Sequence, residues 1–170
     1  SGRPAPLAPP TLQYPDFSVW QRSEQAAPML DSQLEYWREQ LRGLEPFEPP
    51  SDFVRPAMAS FDGDVKAMLL QKDLTDELLA FCQQHGVTLF MLLDALLSVL
   101  FWRYSGSTDI AFATPVANRN RRELEGVFGF FVNTLIVRTR LTPEASFADL
   151  LQHVRTVALE AYDKQDLPFV

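Results

Sequence analysis

Apolar and polar positions recur along this chain with two periods, and the change of period marks out its elements. Between residues 29 and 42 the apolar side chains are Leu30, Leu34, Trp37 and Leu41. Offsets of four, seven and eleven place them on one helix face. Gly43 follows, where a C-terminal cap belongs. Val65, Ala67 and Leu69 alternate with Lys66, Met68 and Leu70, the period-two pattern of a strand with at least one buried face. A short helix is expected over residues 75–85, capped by Asp73 or Thr75 and stopped by Gly86. Residues 88–104 are apolar on nearly every side, which predicts a central, buried helix ended by Ser105 and Gly106.

Residues 110–114 read as a short buried strand and 118–129 as a loop. Residues 130–141 read as a second strand, with Val132, Leu135, Ile136 and Val137. The last helix starts at Ser146, which forms a capping-box pattern with Asp149. Its apolar stripe is Phe147, Leu150, Leu151, Val154, Val157, Ala158 and Ala161. The order is helix, strand, helix, helix, strand, strand, helix, with no internal repeat. It predicts an α/β (α+β layered) fold in which helices cover a sheet.

The chain has 170 residues, 46% of them hydrophobic and 22% charged, as expected of one globular domain. A net charge of −7 argues against a nucleic-acid partner, which needs clustered cations. Arg119, Arg121 and Arg122 form only a small basic patch. The longest apolar run, residues 87–102, contains Asp94 and is short for a bilayer span. The Pro-rich start, residues 1–10, has no apolar segment of the kind a secretory signal carries. One cysteine, Cys82, makes no internal disulfide. A cytoplasmic, reducing location is the expectation.

Candidate chemistry is sparse. His85 lies beside Gly86 at a helix end, where a cation suits the helix dipole. His153 faces away from the apolar stripe and reads as solvated. Cys82 reads as a small buried hydrophobe. No His, Cys and carboxylate cluster has metal-ligand spacing, and Gly126 and Gly129 follow no strand that would make a phosphate loop. Asp31 and Glu35, one turn apart, read as a solvated helix face. Two stretches resist folding rules. Residues 14–20 set aromatic side chains around Asp16. In residues 128–138, Asn133 and Thr134 interrupt an apolar strand. A buried Asn must find partners or cost roughly 1–3 kcal/mol. It marks either a strand-end turn or a polar group aimed into a cavity.

These stretches resemble core motifs of nonribosomal peptide synthetase condensation domains, in the chloramphenicol-acetyltransferase-like superfamily. Tyr14, Asp16, Phe17, Val19 and Trp20 match Tyr-x-Asp-(Phe/Tyr)-x-Val-Trp. Gly129, Phe131, Val132, Asn133, Thr134 and Arg138 match (Ile/Val)-Gly-x-Phe-Val-Asn-Thr with its following Arg, although Phe128 replaces the usual Ile or Val. Gln165, Asp166, Pro168 and Phe169 match (His/Asn)-Gln-Asp-x-Pro-Phe-Glu, from which Lys164 and Val170 depart. The hallmark His-His-x-x-x-Asp-Gly is absent.

The resemblance implies an internal slice of such a domain. Residues 1–13 would be a Pro-rich interlobe linker and 14–170 a partial C-terminal lobe, a half-fold with a mixed sheet covered by helices. It implies amide-bond formation between carrier-protein-bound aminoacyl or peptidyl thioesters, with this chain alone inactive. A non-catalytic lobe that binds carrier proteins or acts as scaffold is the alternative, as is a fragment of an epimerisation or heterocyclisation domain. No catalytic residue and no metal are expected in this chain. Asn133, Thr134, Phe131 and Arg138 would be tunnel- or substrate-proximal. Tyr14, Asp16, Trp20, Gln165, Asp166, Pro168 and Phe169 would be structural. No cofactor would bind directly; phosphopantetheine arms would arrive on donor and acceptor carrier proteins. Other expected partners are the N-terminal lobe and an adenylation domain, with no membrane. An uncovered interlobe surface would favour self-association.

Overall fold

A computed structural model describes residues 11–54, 56, 58 and 63–169 of the chain. The first ten residues of the expected linker lie outside the described residues. The chain divides into two compact units. The described residues of the first are 11–43, 113–136 and 161–169, and those of the second fall within 44–112 and 137–160. Two strands, β1 (Asp109–Val116) and β2 (Asn133–Arg140), pair in one sheet. The division falls inside both strands and inside the last helix, α5 (Phe147–Asp163).

In the first unit, α1 (Tyr14–Gln21) forms from the aromatic stretch. Pro15 stands in its first turn, where no amide hydrogen is needed, and Asp16 accepts a hydrogen bond from the Gln13 N–H at 2.8 Å. Helix α2 (Ala27–Gln40) ends three residues before Gly43. Its buried side chains are Gln33 and Trp37, whereas Leu30, Leu34 and Leu41 are half-covered. Two clusters make the core. Trp37, Leu135 and Ala161 pack with Tyr36, Val116, Tyr162 and Leu167. Leu124, Val127 and Phe131 pack with Tyr14 and Phe17. Each fully buried large side chain contributes about 1.5–3 kcal/mol.

In the second unit, α3 (Lys72–His85) begins earlier than its sequence pattern suggests, with Lys72 paired to Asp76. Gly86 ends it in the left-handed region, φ 64°, a conformation glycine adopts without steric cost. The α3 end is sealed by α5: Gln152 Nε2 donates to the His85 carbonyl at 3.2 Å and Arg155 Nε to the Gly86 carbonyl at 2.9 Å. Helix α4 (Leu89–Ser105) starts at Thr88, whose Oγ1 accepts from the Met91 N–H. The two helices meet at a 98° bend. The capping box of α5 forms as expected, Ser146 N–H and Oγ both donating to Asp149 Oδ2. These bonds hold the Asp149 carboxyl below its usual range.

Two expectations fail here. Residues 65–70 form no strand: the segment is unpaired, and both of its faces are open, with Leu69 95% exposed. Alternation specifies faces, but a strand also needs a hydrogen-bonded neighbour, and none flanks this segment among the described residues. Helix α4 is not buried all round. Met91, Leu92, Asp94, Ala95 and Ser98 are buried, whereas Leu93, Leu96, Leu97, Leu100 and Tyr104 are exposed. Its covered face includes Asp94 and Ser98 and its open face most of the leucines. The strand at residues 110–114 is also only partly covered, apart from buried Ile110. Cys82 is buried, and His153, Asp31 and Glu35 are exposed, as the sequence indicates. Among the described residues no single helix is long and apolar enough to cross a membrane.

Candidate functional site

The three motif stretches come together in the first unit, around the start of β2. Strand alternation there puts Phe131, Asn133 and Leu135 on one face, and all three are buried. Two apolar neighbours thus carry the Asn133 amide inward, where it is 8% exposed. Its Nδ2 donates to the carbonyls of Gln165 at 2.8 Å and Leu167 at 2.7 Å. Its Oδ1 accepts from the Phe169 N–H at 3.0 Å and from the Thr134 N–H at 2.9 Å. Four bonds exhaust a side-chain amide. Asn133 therefore fastens the Gln165–Phe169 motif to the Asn-Thr motif through backbone alone.

Helix α2 grips the same segment from another direction. Gln33 Nε2 donates to Asp166 Oδ2 at 3.0 Å, and Gln33 Oε1 accepts from the Leu167 N–H at 2.9 Å. The Trp37 indole donates to the Lys164 carbonyl at 2.9 Å. Asn120 Nδ2 reaches the other Asp166 oxygen at 3.2 Å, and Gln165 Nε2 donates back to the Tyr162 carbonyl. Residues 164–169 are thus a strap held by α2, β2 and the loop before β2. Under it lies a cavity of about 220 Å³, lined by Leu34, Trp37, Thr134, Ile136 and Pro168, among others.

The first motif holds the loop that leads into β2. Tyr14 meets Phe131 edge-on at 5.1 Å, and Phe17 lies 4.9 Å from it. Arg119 runs beneath the loop. Its guanidinium donates to the carbonyls of Leu124 at 2.6 Å, Val127 at 2.7 Å and Gly129 at 3.1 Å, and stands 4.2 Å over the Phe131 ring. Arg121 stacks over Trp20 at 4.2 Å. The expected basic patch is therefore divided, because Arg119 is spent on carbonyls and Arg121 on an aromatic face. Beside these buried residues, Phe128 is fully exposed and Phe130 and Val132 are largely so.

Arg138 is not part of this group. It lies in the second unit, 3% exposed, and meets the Asp109 carboxylate with two nitrogens, Nε at 2.8 Å and Nη2 at 2.5 Å. That guanidinium holds the Asp109 carboxyl below its usual range. Sequence reasoning also passed over Gln33, Trp37, Arg119 and Asn120 as holders of the strap and loop. Gln33 carried a legible signal, a polar residue one turn before Trp37 on the face that turned out to be covered. Asp94 carried another. Its two oxygens are buried without a hydrogen-bond partner among the described residues, and burial raises its carboxyl to about 6.

The chain is similar to known proteins along its length. The family model described as Condensation domain matches residues 1–170. One component of the linear gramicidin synthase of Brevibacillus parabrevis is 48% identical over 96% of this chain, which spans 3% of that protein. Chondramide synthase of Chondromyces crocatus is 43% identical over 99% of this chain, which spans 4% of it. The crystal structure of the X-domain from teicoplanin biosynthesis superposes with a TM-score of 0.84 at 27% identity, and the match covers 99% of this chain and 39% of that one. The chain thus corresponds to a small part of the synthetases it matches and to about two fifths of that solved domain. With its three motifs in register and its whole length matched, this chain belongs to the condensation-domain family of nonribosomal peptide synthetases.

Proposed function

We propose that the chain is part of a domain that joins carrier-bound aminoacyl or peptidyl thioesters by an amide bond. The observation that carries this reading is the Asn133 clip. It ties the Asn-Thr motif to the Gln-Asp-x-Pro-Phe motif at one place in the fold. On this reading Phe131, Asn133 and Thr134 shape a tunnel wall from behind. Asn133 acts on the wall through the strap, since its amide is fully used by backbone. Arg138 acts at a distance, by fixing the strand that carries the motif. The chemistry needs an amine to attack a thioester carbonyl and a thiolate to leave. Holding both thioesters in one channel supplies most of the acceleration by proximity.

Several parts of the reading follow from the family. Donor and acceptor carrier proteins would present phosphopantetheine arms, and an N-terminal lobe and an adenylation domain would be neighbours. The location would be cytoplasmic. The chain alone would be inactive, because it carries two histidines, His85 and His153, and neither belongs to a His-His-x-x-x-Asp-Gly motif. The exposed leucines of α4 support an uncovered surface that associates with the rest of the domain or with itself.

The test uses donor and acceptor carrier proteins loaded with labelled aminoacyl groups. They are mixed with this chain, with a lobe bearing the histidine motif, and with both. Dipeptidyl thioester formed only when both lobes are present supports the reading. Product from the chain alone, or none from a complete domain containing it, overturns it.

A further inference from the structure

We propose that the groove at the start of α5 binds an apolar ligand that ends in a single anionic group, such as a carboxylate. The groove lies wholly in the second unit, apart from the strap and its cavity. Its volume is about 570 Å³, within the roughly 300–1,000 Å³ range of small-molecule sites. Val99 and Trp102 of α4, Leu141 just after β2, and Phe147 and Leu150 of α5 give it apolar walls. Such walls favour an aliphatic or aromatic body over a hydrated one.

The polar groups at the rim decide the other end of the ligand. Arg140 closes β2 with an exposed side chain, and no hydrogen bond or ion pair engages its guanidinium among the described residues. Asp109 lies within its field, but both Asp109 oxygens are already bonded to Arg138. His153 stands one turn beyond Leu150 on the same wall and is exposed. The one carboxylate on the wall, Asp149, is turned to the Ser146 cap, where it accepts two hydrogen bonds. The rim therefore offers an unspent guanidinium and an imidazole, and its acidic group is already occupied. A guanidinium at the edge of an apolar cleft forms a charge-assisted pair with a planar anion. This inference is independent of the condensation reading, because it uses none of the strap residues.

Two fluorescent probes of nearly the same shape separate the apolar from the anionic part of the claim. 8-Anilinonaphthalene-1-sulfonate carries the anion, and N-phenyl-1-naphthylamine lacks it. Both are titrated into the 170-residue chain, into Arg140→Gln and into Ala145→Phe, which narrows the groove; circular dichroism verifies that each variant is folded. The proposal expects Arg140→Gln to weaken the sulfonate roughly ten-fold, as loss of a charge-assisted bond does, and to leave the neutral probe unchanged. It expects Ala145→Phe to weaken both. Equal sulfonate affinity in all three proteins overturns the proposal, because the probe would then sit on the open face of α4. Equal weakening of both probes by Arg140→Gln overturns the anionic part.

Discussion

The side-chain amide of Asn133 holds the backbone of Phe169, accepting its N–H at 3.0 Å while donating to the carbonyls of Gln165 and Leu167. One side chain of β2 thus ties down the strap from Gln165 to Phe169. Asn133→Ala leaves buried carbonyl and amide groups without partners, at about 1 kcal/mol or more for each. The expected loss is about 2–4 kcal/mol in urea unfolding. Asn133→Asp should cost at least as much, because it turns two donors into acceptors facing carbonyls. A variant as stable as the parent would show that the strap is held without this clip.

Gly129 sits against the ring of Tyr14. A Cβ at this position would lie 2.7 Å from Tyr14 Cγ and 2.9 Å from its Cβ, closer than real side chains approach. Gly129→Ala should therefore push α1 off Phe131 and cost about 1–3 kcal/mol. Limited proteolysis reads the local effect: cleavage within residues 12–25 should speed up more than cleavage in α5. Pairing Gly129→Ala with Tyr14→Ala should restore part of the lost stability, since the second change makes the room the first one needs.

Asp94 predicts a pH dependence. Burial raises its carboxyl to about 6, above the roughly 3.9 of an exposed Asp. The folded state then binds the proton more tightly than the unfolded one. Its ionisation costs nothing below about pH 4, costs more as pH rises to about 6, and is fully unfavourable above that. About two pKa units at roughly 1.36 kcal/mol each set the penalty at no more than about 3 kcal/mol. Asp94→Asn should raise the unfolding midpoint at pH 7.5 and leave it nearly unchanged at pH 4. An equal gain at both values would assign the effect to shape and not to charge.

Leu93→Asp shows where the sequence was legible and where it was not. The cap of α5 was readable, because Ser146 and Asp149 act on amides within one turn. So was the inward direction of Asn133, fixed by Phe131 and Leu135 two places either side. An apolar run, by contrast, says nothing of which face finds a partner. Leu93 is 44% exposed, so in this chain Leu93→Asp should stay folded and lose about 1 kcal/mol or less. The strand expected at residues 65–70 failed for a related reason, since its neighbour is not supplied by the described residues. The strap's holders Gln33 and Trp37 act on residues 133 and 127 places away in sequence, beyond the reach of any local pattern.

Asp109 and Arg138 give the opposite sign to Asp94. The bidentate guanidinium lowers the Asp109 carboxyl, so the pair stabilises the fold above the unfolded pKa of about 3.9 and loses that contribution as pH falls through the lower folded value. Asp109 is partly open to solvent and Arg138 is 3% exposed, so most of the cost of breaking the pair falls on the arginine. Asp109→Asn should therefore destabilise by about 1–2 kcal/mol at pH 7, and by progressively less as pH falls below about 3.9, where the parent's unfolded chain takes up the proton first. Arg138→Met removes the guanidinium with all of its contacts, so the double variant should resemble Arg138→Met alone. Urea unfolding of the four proteins at pH 7 and pH 3 gives the cycle. Additive losses at pH 7, or a loss for Asp109→Asn that is the same at both pH values, would mean that the two side chains touch without depending on one another.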